Sequence, residues 1–337
     1  MGNTEKEIDV VVMWVDGSDP HHLAKRRRFL TDAAEDKRPD VGGITRFASV
    51  GEIEFCIASI HKFAPFIHKI WIITDDQDPH LEEVMARHFE RLIPMEVVDH
   101  RVIFRGYEEY LPTFNSRALE TLMWRIPGLS ERFILMNDDF FLAAPVQEET
   151  FFRNGKTVSY TSWYPTWLAR LLRTVKPKKQ GYKPIGFKDS MLNALDIMDG
   201  GKRFIYLSHT PRALKKSFYE EFYGISGEAP GRVTRHEEVL LKNIRHRFRA
   251  SEQFNSQELF YLQEARNRQL IQEKPDKVAL YLKPRRKKHY IDKKLKAFNA
   301  SKTALFGCLN SLEQAAPEDR QKVLDWLRQH IYGPQEK

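Results

Sequence analysis

Ile8-Asp9-Val10-Val11-Val12-Met13-Trp14-Val15-Asp16-Gly17-Ser18-Asp19-Pro20 decides the class of fold. Its first eight residues are mostly apolar and rich in β-branched side chains; its last five are turn formers. A short apolar run that stops at turn chemistry predicts a buried strand followed by a loop. Three further runs repeat the pattern: Lys69–Thr74 before Asp75-Asp76-Gln77-Asp78, Met95–Val98, and Arg132–Met136 before Asn137-Asp138-Asp139. Helical patterns lie between them. Ser49-Val50-Gly51-Glu52 has the spacing of a capping box, and Ile53, Cys56, Ile57, Ile60 and Ala64 then share one face until Pro65. Asp78-Pro79 predicts a second helix start, with Leu81, Val84, Met85, Phe89 and Leu92 as its buried stripe. A third helix, after Thr113-Phe114-Asn115-Ser116, turns Leu119, Leu122, Met123 and Ile126 inward. Strands alternating with helices predict parallel βαβ units. Ligands of such sheets bind at the carboxyl ends of the strands. Asp16, Asp75, Asp76, Asp138 and Asp139 all fall at such ends.

Working outward, residues 1–145 form the N-terminal part of this α/β unit. Residues 146–200 break the rhythm with Trp163, Tyr164, Trp167 and a basic run over 170–183, and are expected to be a mostly helical insertion. Residues 201–312 complete the α/β unit, with a returning strand at Arg203–Leu207 and another at Val278–Leu282. Helix starts are expected at Thr234 with Glu237 and at Asn255 with Glu258. Residues 313–337 are a terminal amphipathic helix and tail, burying Val323, Leu324, Leu327 and Ile331.

The chain has 337 residues, 42% of them apolar and 30% charged, which excludes collagen-like, low-complexity and wholly disordered chains. Lys and Arg number 54 against 46 Asp and Glu, a net charge of +8 that favours an anionic partner. Two cysteines, Cys56 and Cys308, exclude a zinc-finger pattern and a disulfide framework. Both sit in apolar runs and read as buried, reduced thiols. Met1–Glu7 lacks the apolar core of a signal peptide, and no run reaches the ~18 apolar residues of a membrane span. A cytoplasmic protein is expected, soluble or peripheral at the inner face of the membrane.

Each candidate site motif has two readings. Asn137-Asp138-Asp139 suits a hard divalent cation at a nucleotide diphosphate, or a solvated turn. Asp16-Gly17-Ser18-Asp19 is a nucleotide-binding turn or an Asx-rich turn without a ligand. His209, at the end of a strand, is a general base, a phosphate ligand or a structural histidine. His246-Arg247-Phe248-Arg249 offers a guanidinium to a phosphate, or is a solvated basic helix end. Lys283, Arg285, Arg286, Lys287, Lys288, Lys293, Lys294 and Lys296 form the densest charge run, for acidic lipid, anionic polymer, nucleic acid or solvent alone. No nucleic-acid module accompanies it. GxxxxGK[ST] and GxGxxG are both absent, which argues against a P-loop or dinucleotide enzyme.

Together and in order, these blocks resemble the Stealth family of sugar-1-phosphate transferases. The first is Ile8 through Pro20. The second runs from Arg46-Phe47 and Gly51-Glu52 through Ile72-Ile73-Thr74-Asp75, Val98-Asp99-His100, Pro112-Thr113-Phe114-Asn115-Ser116 and Ala118-Leu119-Glu120 to Asn137-Asp138-Asp139. The third runs from His209-Thr210-Pro211-Arg212 to His246-Arg247-Phe248-Arg249, and the fourth is Cys308-Leu309-Asn310. Asp76 stands where the family often has Gly, and Ser311 where it usually has Asp. The resemblance implies a Rossmann-like nucleotide-sugar transferase fold of glycosyltransferase-A type, with a helical insertion and C-terminal helices. It implies a UDP-sugar donor, an oligosaccharide or polysaccharide acceptor, Mg²⁺ or Mn²⁺ and no nucleic acid. It assigns catalysis to Glu120, Asp139, His209 and Arg249, metal to Asp138 and Asp139, and the donor to Trp14, Asp16, Gly17, Arg46, Asn115 and Asn310. An ordinary metal-dependent glycosyltransferase that releases UDP is the competing enzyme. A non-catalytic module that binds anionic polymer is the competitor from another class.

Overall fold

The computed structural model describes residues 6–30, 47–175, 186–224, 235–275, 279–282 and 289–334. Among these residues the strands are β1 (Ile8–Met13), β2 (Ile70–Thr74), β3 (Met95–Asp99), β4 (Arg132–Asn137), β5 (Phe140–Leu142), β6 (Phe152–Arg153), β7 (Lys156–Pro165), β8 (Arg203–Leu207), β9 (Arg212–Lys215), β10 (Leu270–Glu273), β11 (Ala279–Tyr281) and β12 (Phe306–Cys308). The central sheet has the order β3-β2-β1-β4-β9. Its first four strands are parallel, and β9 joins β4 antiparallel. From β1 the chain builds outward through β2 to β3, then crosses back to place β4 on the other side of β1. The direction of winding therefore reverses between β1 and β4, and a crevice opens beyond their carboxyl ends.

The apolar runs are continuous because the sheet is covered on both faces. Val10, Val12, Ile70, Ile72, Ile134 and Met136 face one core, shared with Cys56, Ile57 and Ile60 of the helix Glu52–Phe63 and Val323, Leu327 and Ile331 of the helix Pro317–Tyr332. Val11, Met13, Trp71, Ile73, Phe133 and Leu135 face the other, shared with Leu119 and Leu122 of the helix Ser116–Leu122. Asp9 is fully buried in β1 without being orphaned. Its carboxylate accepts from Trp71 Nε1 and Ser130 N, both at 2.9 Å, and meets His68 Nδ1 at 2.9 Å.

A smaller sheet, β11-β12-β5, flanks the central one. Gly307 in β12 passes so close to Phe141 in β5 that a Cβ there would lie 2.0 Å from the ring. This packing delivers Leu309, Asn310 and Ser311, just past β12, to the mouth of the crevice.

The structure corrects several local expectations. The helix after Gly51 begins at Glu52, and Ser49 does not cap it. Gly51 has φ 89°, and the Glu52 carboxylate folds back to accept the Val50 N–H at 2.7 Å. Asp78 accepts from His80 N instead of starting a helix, which waits until Glu82. Leu92 is exposed. Among the described residues of 146–200 the expected helices are Thr166–Val175 and Phe187–Ile197, and the strands β6 and β7 precede them. β8 pairs with β7, so the strand that returns to the central sheet is β9. The Asn255 cap is present, accepting from Glu258 N at 3.1 Å; the expected Thr234 start lies outside the described residues. Both cysteines are buried, and neither is in a disulfide. No described helix is long and apolar enough to cross a membrane.

Candidate active site

An open cleft of about 510 Å³ lies beyond the carboxyl ends of β1 and β4. Asn137, Asp138 and Asp139 form its floor at the β4–β5 turn. The Asp139 backbone carbonyl accepts from Leu309 N at 2.8 Å, tying the floor to the small sheet. Its Oδ2 accepts from the Cys308 thiol at 3.5 Å, while Oδ1 is buried with no partner. Burial pushes the Asp139 carboxyl up to about 6; the Cys308 thiol and the Arg212 guanidinium pull the other way, and Glu313 adds to the rise. Asp138 is pushed well above the usual carboxylate range by burial, then by Asp139 and Glu52. Glu52 is raised by burial, with Asp139 and Glu313 adding to it. Glu52, Asp138 and Asp139 thus crowd one floor beside Glu313, and burial with like charge raises the cost of ionising these three.

That crowding bears on the expected cation. Among the described residues no three His, Cys, Asp or Glu side chains converge into a metal cage. The unpartnered Asp139 Oδ1 and the neighbouring Asp138 carboxylate fit a hard cation that takes one or two carboxylates and completes its shell with phosphate oxygens and water. Mg²⁺ is bound in this way, so the donor set fits it.

Two cationic side chains and a histidine face the floor. Arg212 opens β9 opposite Leu135 of β4 and is only 6% exposed. His209 sits in the turn between β8 and β9. Its backbone N–H donates to Tyr281 Oη at 2.8 Å, and its ring stacks on Phe187 with centroids 6.1 Å apart. Arg249 reaches in from residues 246–250, where Nη2 donates to Ser116 Oγ at 3.1 Å. That segment is stapled to the start of the helix Ser116–Leu122. Phe114 N donates to the Arg247 carbonyl at 2.8 Å. The Asn115 amide donates to the His246 and Phe248 carbonyls, both at 3.0 Å, while its oxygen caps Arg117 N at 3.2 Å. On the same helix Glu120 lines the cleft and accepts from Gln257 Nε2 at 3.0 Å. Arg117 behind it is pushed down to about 10, by burial and then by Arg249.

The cleft brings together Trp14, Asn115, Glu120, Asp138, Asp139, His209, Arg249 and Asn310, from segments up to 296 positions apart. Asp16 and Gly17 do not line it. Asp16 is an Asx turn: its carboxylate accepts the Ser18 N–H at 2.8 Å, and its backbone is clamped by the Gln77 amide at 2.9 and 3.0 Å. Gly17 supports the wall from behind. Its N–H donates to the Phe47 carbonyl at 2.8 Å, and a Cβ would sit 2.2 Å from Phe47 Cβ. Asn115 faces the cleft, yet its amide is committed to the 246–250 segment. Arg46 lies outside the described residues, as do Lys283, Arg285, Arg286, Lys287 and Lys288. Lys293, Lys294 and Lys296 lie on the helix Tyr290–Ala300.

Sequence reasoning missed Arg212, His22, His100, Glu52 and Glu313, all of which line the cleft. Arg212 stood in the quoted His209-Thr210-Pro211-Arg212 block, and its place beside His209 was its signal. Glu52 read only as a cap. His22 and His100 are 2% exposed and 78 positions apart, and no local pattern joins them. His22 Nε2 lies 3.9 Å from Asp75 Oδ2, with Lys25 Nζ at 3.0 Å from Oδ1. Burial pushes the His100 imidazole down to about 4.

Residues 6–32 match the family model of Stealth protein CR1, conserved region 1, and residues 46–160 that of Stealth protein CR2, conserved region 2. The capsular polysaccharide phosphotransferase cps1A of Actinobacillus pleuropneumoniae is 31% identical over 253 residues, 74% of this chain and 63% of that relative. A capsular polysaccharide phosphotransferase of Actinobacillus suis is 32% identical over 218 residues, 64% of this chain and 55% of that relative. The chain therefore spans between half and two thirds of these relatives. Among solved structures, the bifunctional glycosyltransferase WbbM in its apo form superposes with a TM-score of 0.50 at 10% identity. That match covers 98% of this chain and 50% of WbbM, and it is a likeness of fold alone. Two conserved regions of the Stealth family thus lie in order in this chain, and both contribute to the one cleft.

Proposed function

We propose that the chain is a phosphotransferase that moves a sugar 1-phosphate from a UDP-sugar to a sugar hydroxyl of a capsular or cell-surface polysaccharide, releasing UMP. The observation that carries this is the single cleft at the β1–β4 reversal, where an acidic floor faces His209, Arg212 and Arg249. The relatives, named as polysaccharide phosphotransferases, support the same reaction class. Phosphoryl transfer asks a protein mainly for positioning and charge neutralisation. The acceptor oxygen bonds to the β-phosphorus of the donor, the bridge to the α-phosphate breaks, and UMP leaves with the bridging oxygen. The sugar's anomeric C–O bond stays intact. His209 takes the proton from the attacking hydroxyl. Arg249, held by Ser116 and the Asn115 staple, steadies the oxygens of the transferred group. Glu120 orients the acceptor. Asp138 and Asp139 would hold Mg²⁺ or Mn²⁺, which supplies neutralisation of the diphosphate when bound. Trp14, Phe47 and Asn310 would frame the donor.

The test is the nucleotide product. With a panel of UDP-sugars, Mg²⁺ and capsule oligosaccharides, UMP and a product heavier by one sugar phosphate are expected. UDP and a product heavier by the sugar alone would make it an ordinary glycosyltransferase; polymer binding without turnover would make it a non-catalytic module. His209→Ala and Arg249→Ala should each lower kcat by about 10²-fold or more with the fold intact. Asp139→Asn should behave likewise, and activity that persists in excess EDTA would remove the cation from the reaction.

A further inference from the structure

The helix Thr166–Val175 is amphipathic with its faces reversed. Helices on a globular surface normally turn large apolar residues inward. Here the inner face carries Thr166 and Ala169, both buried, with Arg170 paired to Asp196 at 2.5 Å and Arg173 to Asp189 at 3.5 Å. Both acids belong to the helix Phe187–Ile197. The outer face presents Trp167, Leu171, Leu172 and Val175, which are 66, 51, 46 and 65% exposed. Trp163 joins them from the end of β7. A contiguous patch of this kind marks an interaction surface.

We infer that this face docks on an anionic lipid bilayer, lying flat in the headgroup region. The chemistry of the patch selects that occupant. An interfacial helix combines a Trp and aliphatic face with neighbouring cations, and Trp is enriched at the membrane–water boundary. Ten residues span only about 15 Å, too short to cross a bilayer. The nearby charge is positive: Lys202 and Arg203 are exposed, and Arg203 pairs with Pro165 on the strand face that carries Trp163. The chain that follows, residues 176–185, has four lysines and no acid. The placement also relates to the cleft, because the helix that anchors the patch contributes Phe187 to the cleft wall, and β8 contributes Tyr206. An acceptor attached to lipid would thus be offered from the His209 side. The docking itself is independent of which reaction the cleft performs.

The test is co-flotation of the full chain with phosphatidylcholine vesicles containing 30% phosphatidylglycerol, compared with vesicles of phosphatidylcholine alone. Binding to the anionic vesicles is expected, weakened by 0.5 M salt. Leu171→Glu with Val175→Glu should lower the partition coefficient at least tenfold, with an unchanged thermal midpoint because both side chains are exposed. Trp167→Phe should remove most of the lipid-induced blue shift in tryptophan fluorescence. Absence of vesicle binding by the unaltered chain, or equal binding by the double variant, overturns the proposal. A dimer in sedimentation that the double variant makes monomeric also overturns it, because the face would then be a contact between copies of the chain.

Discussion

His100 shows how one residue records the burial of the whole cleft. It is 2% exposed, and burial pushes its imidazole down to about 4 from the ordinary 6.5; the charges of Asp75 and Asp99 only partly offset this, and His22 and Lys25 add to it. In the unfolded chain the same ring takes a proton below about 6.5. Between those limits the unfolded state binds the extra proton, so stability falls as pH drops from about 6.5 towards 4. The full shift corresponds to about 3 kcal/mol, an upper bound for one group. Glu52, Asp138 and Asp139 act with the opposite sign, because carboxyls raised by burial lose stability as pH rises. A single pH profile therefore mixes both effects, and a difference profile separates them. His100→Gln removes the titrating ring and leaves the acids in place. Urea midpoints at pH 4.5 and 7 should show a smaller acid-side loss in the variant, by about 1–3 kcal/mol. Equal losses in the two proteins would mean that His100 is not held neutral.

At the scale of elements, the cleft depends on segments that brace one another more than on any one motif. Asn115 is the plainest case. Its oxygen caps the helix Ser116–Leu122 while its amide fixes residues 246–248, and Arg249 is aimed by that attachment. Asn115→Ala should cost about 1–2 kcal/mol for the cap, with more for the two carbonyls left unsatisfied. It should also lower kcat at least tenfold, because Arg249 loses its position. Asn115→Asp keeps the cap and removes the amide donors, so it should recover stability in part and kcat hardly at all. Recovery of both in step would reduce Asn115 to a helix cap. This double duty was not legible in the sequence, where Asn115 read as a donor ligand. The four parallel strands were legible to within a residue or two: β1, β2 and β4 because burial on both faces leaves continuous apolar runs, and β3, half exposed at the sheet edge, from the short run Met95–Val98. The short strands β5, β9 and β12 were not, since three or four residues carry no period. β7 was missed because the Trp163-Tyr164 end of a ten-residue strand runs straight into the amphipathic helix that follows. Of the site, Asp138, Asp139, His209 and Arg249 were legible as motifs and Glu120 through the family resemblance, and the cleft gathers all five. His22, His100 and Glu313 were not, because only the tertiary fold brings them to it.

The molecule as a whole carries an excess of positive charge, 54 basic against 46 acidic side chains, and the distribution is uneven. Eight of those cations fall between positions 283 and 296 beside a single acid, Asp292. In the structure Asp292 pairs with Lys322 of the terminal helix at 3.1 Å, and His289 lies 3.6 Å away. Lys293 and Lys296 are exposed on the helix Tyr290–Ala300, and Lys294 lies over the Tyr290 ring at 5.8 Å. This helix connects β11, whose Tyr281 touches His209, to β12, which leads into Asn310 at the cleft. In the proposed reaction each transfer adds one negative charge to the product, so a longer acceptor would become a better ligand for such a run. Lys293→Gln, Lys294→Gln and Lys296→Gln together should raise KM several-fold for long acceptors and leave short acceptors unchanged. Exposed charges are screened over about 8–10 Å at physiological ionic strength, so the difference should shrink towards zero in 0.5 M salt. Initial rates across acceptors of increasing length check this. The triple variant should keep its binding to anionic vesicles, which depends on the separate Trp167 face. If acceptor length never matters and vesicle binding falls, the run belongs to the membrane surface; if neither changes, it is a solvated face whose charge serves solubility.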